Sequence, residues 1–495
     1  MNNNNFLNQP NELIIPEISS KFKENGYSLK KNNDKIYQKN SETWNNILIL
    51  GENKEIMISL LKKCKEKIDL IYIDPPFFTN SDYYQRIFLD KHYIQKISYN
   101  DKWSNNLDLY LSFLKERLAL MKELLSDKGS IYLHLDWHVS HHIKLIMDDI
   151  FGRENFRNEI IWFYPAASAQ TKKFYVRSYD SIFYYTKSDN YIFNDDPNIY
   201  MEYSNRVKNA LKEDEQGLYY HRGGSHDGKK LKKKVYIENK GIFPRDVWLD
   251  IPYIRANTLE YQGFSTQKPE RLLKRIILAS SKKNSIIADF FCGSGTTIAV
   301  AEKLGRKWIG CDLNWDAIII IWKRLLELSN SNDILNWKKK YNDYTKPFNI
   351  FYTENQKKTI MFPEKFINDN KEIKSPLESL PDPSFEIKVK KQNSKINMEI
   401  SNYLIPYFDL LPSNIKDSIK NWQDFIDSIS IDFNYNNNIF RPTWISFKTP
   451  KKREIMLTTG EFEYDDFEPF DIMIKIVDII GFESSRKITI TNKNI

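Results

Sequence analysis

Short apolar runs alternate with amphipathic stretches over the first two thirds of the chain. Ile47–Leu50 is a buried-strand run, Glu55 to Lys67 repeats its apolar residues at helical spacing, and Ile68–Ile73 is a second apolar run. Leu107 to Leu125 predicts a long amphipathic helix stopped by Gly129, with Ser130–Leu135 as a third strand. From Ile160 to Tyr185 the pattern turns aromatic and strand-like, and over 186–262 it becomes irregular. Regularity returns with a helix from Pro269 to Ser280, a strand Ser285–Asp289, a helix from Thr296 to Leu304 and a strand Lys307–Asp312. Strands alternating with helices predict a parallel, doubly wound α/β sheet, here of seven strands.

The same pattern divides the chain. Residues 1–45 are polar and Asn/Lys-rich, an arm; 46–160 hold the first α/β half, 161–262 an insert and 263–330 the second half. Residues 331–395 turn polar, and their prolines at Pro376, Pro381 and Pro383 read as a linker. Alternating runs such as Thr443–Phe447 and Ile472–Val477 predict a small β-rich unit over 396–495, so the α/β part is expected to work without it.

Composition narrows the classes. With 495 residues there is room for roughly three domains. No run of about 18 apolar residues predicts a membrane span. Met1–Asn5 lacks the basic start of a secretory signal. Three cysteines, Cys64, Cys292 and Cys311, with no C-x-x-C pair, predict neither a disulfide framework nor a metal knuckle and fit a reducing cytoplasm. A net charge of +8 leans towards a polyanionic partner.

Two motifs carry chemistry. In Asp289-Phe290-Phe291-Cys292-Gly293-Ser294-Gly295-Thr296-Thr297 a strand ends in an acid, glycines turn the chain, and a helix starts. Such glycines let the backbone approach a ligand at the carboxyl edge of a sheet. The next strand ends at Asp312, where an acid typically takes ribose hydroxyls. A tight β–α turn without a ligand is the competing reading; strand, turn, helix, strand and acid in order favour a nucleoside cofactor. The second motif, Asp74-Pro75-Pro76-Phe77, ends a buried strand. Its prolines remove donors and stiffen the chain, leaving the Pro75 carbonyl and the Asp74 carboxylate as paired acceptors beside a flat ring. That group suits a planar exocyclic amine; the competing reading is a rigid turn capped by an acid.

These residues resemble the S-adenosylmethionine-dependent DNA amino-methyltransferases of the permuted (beta) class, in which the catalytic tetrapeptide precedes the cofactor loop. The resemblance covers about residues 45–325. It makes Asp74, Pro75, Pro76 and Phe77 catalytic, and gives Asp289, Phe290, Gly293, Gly295, Thr296, Asp312 and Leu313 to the cofactor. Lys268, in Thr266-Gln267-Lys268-Pro269-Glu270, and Glu52, in Gly51-Glu52-Asn53, are likewise cofactor-side by resemblance; Glu52 stands where many members have Asp. The implied fold is a Rossmann-like methyltransferase sheet with a target-recognition insert at 161–262 and a C-terminal β-rich domain. The implied reaction is methyl transfer to adenine N6 in double-stranded DNA after base flipping, as in restriction–modification systems, with no metal. A homodimer and a restriction or helicase subunit are partners the class admits, and the residues decide neither.

Alternatives remain open at this point. Cytosine N4 presents the same amine geometry, and Asp74 rather than Ser tilts the choice to adenine. Methyltransferases acting on protein glutamine have a similar tetrapeptide but usually Asn-Pro-Pro and the opposite motif order. A non-catalytic DNA-binding scaffold is argued against by Asp74, Gly293, Gly295 and Asp312. The run Lys229, Lys230, Lys232, Lys233 and Lys234 reads as a loop, either solvated or touching DNA phosphates. His134, His138, His141 and His142 read as a polar face at a helix start rather than a metal site. Trp162, Tyr164 and Tyr175 read as core.

Overall fold

The computed structural model describes residues 46–89, 93–165, 173–226, 229–237, 241–346, 348–352, 381–392, 394–411, 413–435, 440, 442–464 and 469–491. The expected N-terminal arm, 1–45, lies outside the described residues. Among them a nine-stranded sheet runs in the order Val247–Trp248, Phe156–Phe163, Tyr179–Thr186, Leu125–Leu135, Ile68–Ile73, Ile286–Asp289, Lys307–Asp312, Asn46–Leu50 and Phe348–Tyr352. Only Tyr179–Thr186 runs against the others.

Its central strands are apolar because both faces are covered by helices. Asn53–Cys64, Leu107–Leu124 and Ser140–Phe151 bury Met57, Leu114, Leu118, Met121, Ile143 and Met147 in a cluster with Ile71, Leu133 and Ile309. The opposite face packs Glu270–Ser280, Thr296–Lys303 and Trp315–Leu326 through Leu272, Ile276, Ile298 and Ile321, with Leu70, Ile287 and Trp308.

The sheet differs from the expected one in three ways. It has nine strands rather than seven. Tyr179–Thr186 and Val247–Trp248 lie inside the expected insert 161–262 yet pair within the central sheet. Phe348–Tyr352 lies inside the expected linker 331–395 yet pairs with Asn46–Leu50 along its whole length. A two-residue strand and a strand flanked by polar sequence carry too little periodicity to be read from sequence.

Lys212–Asp214, Gly217–His226 and Lys229–Tyr236 form a separate three-stranded sheet with the last at its edge. Further on, Trp444–Phe447, Ile426–Tyr435, Phe470–Asp478 and Glu483–Ile490 form a four-stranded antiparallel sheet, and Ser384–Gln392, Lys395–Leu404 and Phe462–Glu463 a three-stranded one. No described helix is long and apolar enough to cross a membrane.

Candidate active site at the carboxyl edge of the sheet

Three neighbouring parallel strands end in acids or lead straight into them: Ile68–Ile73 before Asp74, Ile286–Asp289, and Lys307–Asp312. A cavity of about 290 Å³ opens over these ends. Asp74, Pro76, Lys268, Asp289, Phe290, Gly293, Thr296, Asp312, Leu313 and Glu52 all line it, so residues far apart in sequence converge on one volume.

The glycine loop is shaped for close approach. Gly293 and Gly295 have φ of +50° and +71°, left-handed values that favour glycine. A Cβ on Gly295 would come within 2.6 Å of Ile321. Asp312 ties this loop down: one carboxylate oxygen accepts from the Gly293 amide at 2.8 Å and the other from the Asn314 amide at 2.9 Å. From beneath, the buried Arg324 donates to the Ser294 carbonyl and the Thr296 hydroxyl, both at 3.0 Å, and to Glu270 at 2.9 Å. Asp289 is buried, accepting from the Thr297 hydroxyl at 2.6 Å and the Phe291 amide at 2.9 Å. Burial pushes its carboxyl up to about 7; those two hydrogen bonds oppose the rise, and the nearby Asp74 and Asp312 carboxylates add to it.

Asp74 is divided between two tasks. Its Oδ2 accepts from the Lys268 ammonium at 2.6 Å. Its Oδ1 is buried with no hydrogen-bond partner among the described residues. An orphaned carboxylate oxygen is costly unless something completes it, and this one belongs to a cavity-lining side chain.

The tetrapeptide loop is held by a residue that sequence reasoning missed. Asp101, fully buried, accepts from the amides of Phe77 (3.1 Å), Phe78 (3.2 Å) and Thr79 (2.7 Å), from the Thr79 hydroxyl (2.9 Å) and from the Trp103 indole (2.7 Å). Phe78 adopts a φ of +61°, so successive amides converge on one anion. The Pro76 carbonyl accepts from the Tyr110 hydroxyl at 2.7 Å. Phe77 lies over His134, with ring centroids 6.1 Å apart and planes at 23°. His134 is itself fixed by the Tyr72 hydroxyl at 2.8 Å and Asp180 at 2.9 Å, and Tyr164 donates to the other oxygen of Asp180 at 2.8 Å.

Several of the expected residues also have partners within the chain. Lys268, expected on the cofactor, lines the cavity with its ammonium on Asp74 and 5.2 Å from the centre of the Phe77 ring. Glu52 caps the helix Asn53–Cys64, accepting from the Lys54 amide at 2.8 Å, and pairs with Arg117. Phe290 is buried in the apolar cluster, although it borders the cavity. His134 lies inside the sheet, His138 bonds Asp136 at 2.6 Å, and His141 and His142 are exposed on the helix Ser140–Phe151. Trp162 is core and Tyr164 half-buried, but Tyr175 is almost fully exposed. The basic run is a strand, not a loop; Lys233 and Lys234 are exposed, and Lys234 pairs with Asp214 at 2.7 Å.

The type II methyltransferase M.EcaI of Enterobacter cloacae is 29% identical over 322 residues, spanning 56% of this chain and 69% of that protein. The DNA adenine methyltransferase YhdJ of Escherichia coli is 32% identical over 272 residues, spanning 55% of this chain and 80% of its own. A solved structure, the M1.HpyAVI–SAM complex, aligns with 56% of this chain and 98% of its own at 18% identity and a TM-score of 0.35. The family described as DNA methylase, of the N6/N4 type, matches residues 68–323. That match takes in the Asp74 tetrapeptide, the glycine loop and Asp312 across more than half of the sequence, and the chain belongs to this family.

Proposed function

We propose that this chain methylates adenine N6 in double-stranded DNA, with S-adenosylmethionine as donor. One observation carries the reading: Asp74 keeps a buried, unpartnered oxygen at a cavity whose other end is a glycine loop and a ribose-type acid. The cavity suits that cofactor. Asp74 and Asp312 outnumber Lys268 along its wall, which favours a cationic sulfonium and an ammonium group. Asp312, fixed by the Gly293 and Asn314 amides at the end of its strand, stands where an acid typically takes ribose hydroxyls. Bound there, the cofactor supplies an activated methyl group, so the chain's own residues mainly position and polarise.

Adenine N6 is a poor nucleophile because its lone pair is delocalised into the ring. Asp74 Oδ1 and the Pro75 carbonyl would each accept one N6 hydrogen and draw the nitrogen towards a pyramidal form. Lys268 fixes the other oxygen of Asp74, so the carboxylate cannot rotate away from the amine. Phe77, backed by His134, offers the face on which an extruded base stacks, offsetting part of the few kcal/mol that extrusion costs.

The adenine assignment rests on Asp74 and on the adenine-specific relative. A carboxylate is a stronger acceptor than a hydroxyl and places negative charge beside the nitrogen that becomes positive. Incubating the chain with labelled cofactor and unmethylated DNA, then resolving the digested nucleosides by mass, tests it. N6-methyladenine is expected. N4-methylcytosine as the labelled product would overturn the base assignment, and no labelled base at all would overturn the activity. Asp74→Ala is expected to lower transfer about a hundredfold or more, a typical cost of one preorganised contact, with cofactor affinity nearly unchanged.

A further inference from the structure

The edge of the sheet that holds Asp74 also exposes flat rings. Trp137 lies two residues beyond the strand Leu125–Leu135, whose Leu133 pairs with Ile73, so its loop and the Phe77 loop leave neighbouring strands at one level. The antiparallel strand Tyr179–Thr186 begins at this same edge, and the segment leading into it carries Phe174, Tyr175 and Arg177. Tyr175 is 98% exposed, Phe174 56% and Trp137 39%. These rings are not loose. The Arg177 guanidinium lies 3.6 Å from the centre of the Trp137 ring and 5.0 Å from that of Phe174, and the His138 ring packs on Trp137 at 3.8 Å. The result is a solvent-facing cluster of aromatic rings around a guanidinium, on the sheet edge that holds Asp74.

Exposed aromatic groups clustered in this way mark a binding surface rather than a core. Their neighbour decides the partner. A site that takes a base out of a duplex leaves a gap in the stack, and bases on either side of the gap lose a neighbour. Aromatic rings and the planar guanidinium replace that neighbour without reading sequence, and the guanidinium adds positive charge towards the backbone. We propose that Trp137 and Arg177, with Phe174 and Tyr175, form the surface on which the duplex lies beside the extruded base, stacking on the bases that extrusion uncovers. This rests on the DNA-methylating reading above.

The test uses the full chain. Arg177→Ala and Trp137→Ala are expected to lower kcat/KM for unmethylated double-stranded DNA at least tenfold, with S-adenosylmethionine affinity by calorimetry within twofold of the unaltered chain. Trp137→Phe keeps a stacking ring and is expected within threefold, whereas Arg177→Lys keeps charge without a planar group and is expected to recover less than a third of the loss. Alanine variants within threefold of the unaltered chain would overturn the surface. Lysine serving as well as arginine would mean phosphate contact without stacking, and a parallel fall in cofactor affinity would mean a structural role; either overturns the proposal. Should Trp137→Ala fold poorly, the exposed Arg177 carries the test. If the unaltered chain methylates no DNA, the functional reading is what fails. Anisotropy with a labelled unmethylated duplex then still reads the surface: binding weakened at least fivefold by Arg177→Ala supports it, and unchanged binding overturns it.

Discussion

Asp101 shows how one buried side chain sets the accuracy of a site it does not line. Its carboxylate gathers donors from Phe77, Phe78, Thr79 and Trp103, and so fixes where the ring of Phe77 and the carbonyls of the two prolines stand. Asp101→Asn removes charge but little volume, and one of its two terminal atoms can no longer accept. Methyl transfer is expected to fall tenfold or more while cofactor affinity stays within twofold, read by steady-state transfer and calorimetry; an unaltered rate would remove Asp101 from the machinery. Asp289 gives a pH signature. Its pKa is about 7 in the folded chain against 3.8 unfolded, so the folded state holds the extra proton between these values. Stability is therefore lost as pH rises from about 4 to about 7, on the order of 4 kcal/mol for a shift of that size. The Asp289→Asn chain should show a smaller fall in Tm between pH 5 and 8 than the unaltered chain, and an equal fall would exclude Asp289 as the cause. Neither the role of Asp101 nor the raised pKa of Asp289 was legible in sequence. The tetrapeptide, glycine loop and Asp312 are contiguous strings with a spacing that announces chemistry. Asp101 works from a loop twenty-odd residues later, and Asp289's pKa depends on burial, which a string does not contain.

At the scale of elements, the sequence shows what periodicity can show. The strands Asn46–Leu50 and Ile68–Ile73 and the helix Leu107–Leu124 fall where their apolar spacing puts them, because a strand covered on both faces needs a continuous apolar run. The basic run misleads for the opposite reason. Lys229–Tyr236 has almost no apolar alternation, yet it pairs residue by residue with Gly217–His226 as an edge strand. Lysines on an edge strand also keep it from pairing with another chain, which is a sufficient structural reason for them. The two roles separate by salt. If the strand lies along DNA, replacing Lys229, Lys230, Lys232, Lys233 and Lys234 with Gln weakens binding to all duplexes alike and flattens the logarithmic salt dependence by roughly 0.9 per lost phosphate contact. Lys234, paired with Asp214, is expected to contribute least. An unaltered slope, accompanied by new aggregation, would leave edge protection as the function of the run.

For the whole molecule, the polar stretch 331–395 suggests a detachable C-terminal unit, and the packing argues against detachment. Phe348–Tyr352 completes the central sheet, so a chain ending near residue 345 would leave the strand Asn46–Leu50 as an open edge. Beyond it, the C-terminal sheets share apolar clusters with the catalytic part. Ile445 and Phe447 belong with Ile318 and Ile321, Trp322 meets Phe447 with ring centroids 6.0 Å apart, and Ile479 and Ile480 cluster with Ile87 and Ile94. Lys96, almost fully buried, bridges Asp316 at 2.7 Å and the Ile480 carbonyl at 2.8 Å. Trp322, and Lys323, which pairs with Asp427, belong to the helix that also supplies Arg324, the residue beneath the glycine loop, so the C-terminal sheets support that loop at one remove. Each buried side chain uncovered there costs about 1.5–3 kcal/mol. A chain ending at residue 380 keeps all nine strands of the central sheet but uncovers this face. It is expected to melt at least 5 °C below the full chain and to bind S-adenosylmethionine at least fivefold more weakly, by thermal melting and calorimetry. Supplying residues 381–495 as a separate chain is expected to restore both, because the lost contacts are side-chain packing rather than chain connectivity. Equal Tm and equal cofactor affinity in the shortened chain would return the C-terminal unit to a separate, dispensable module.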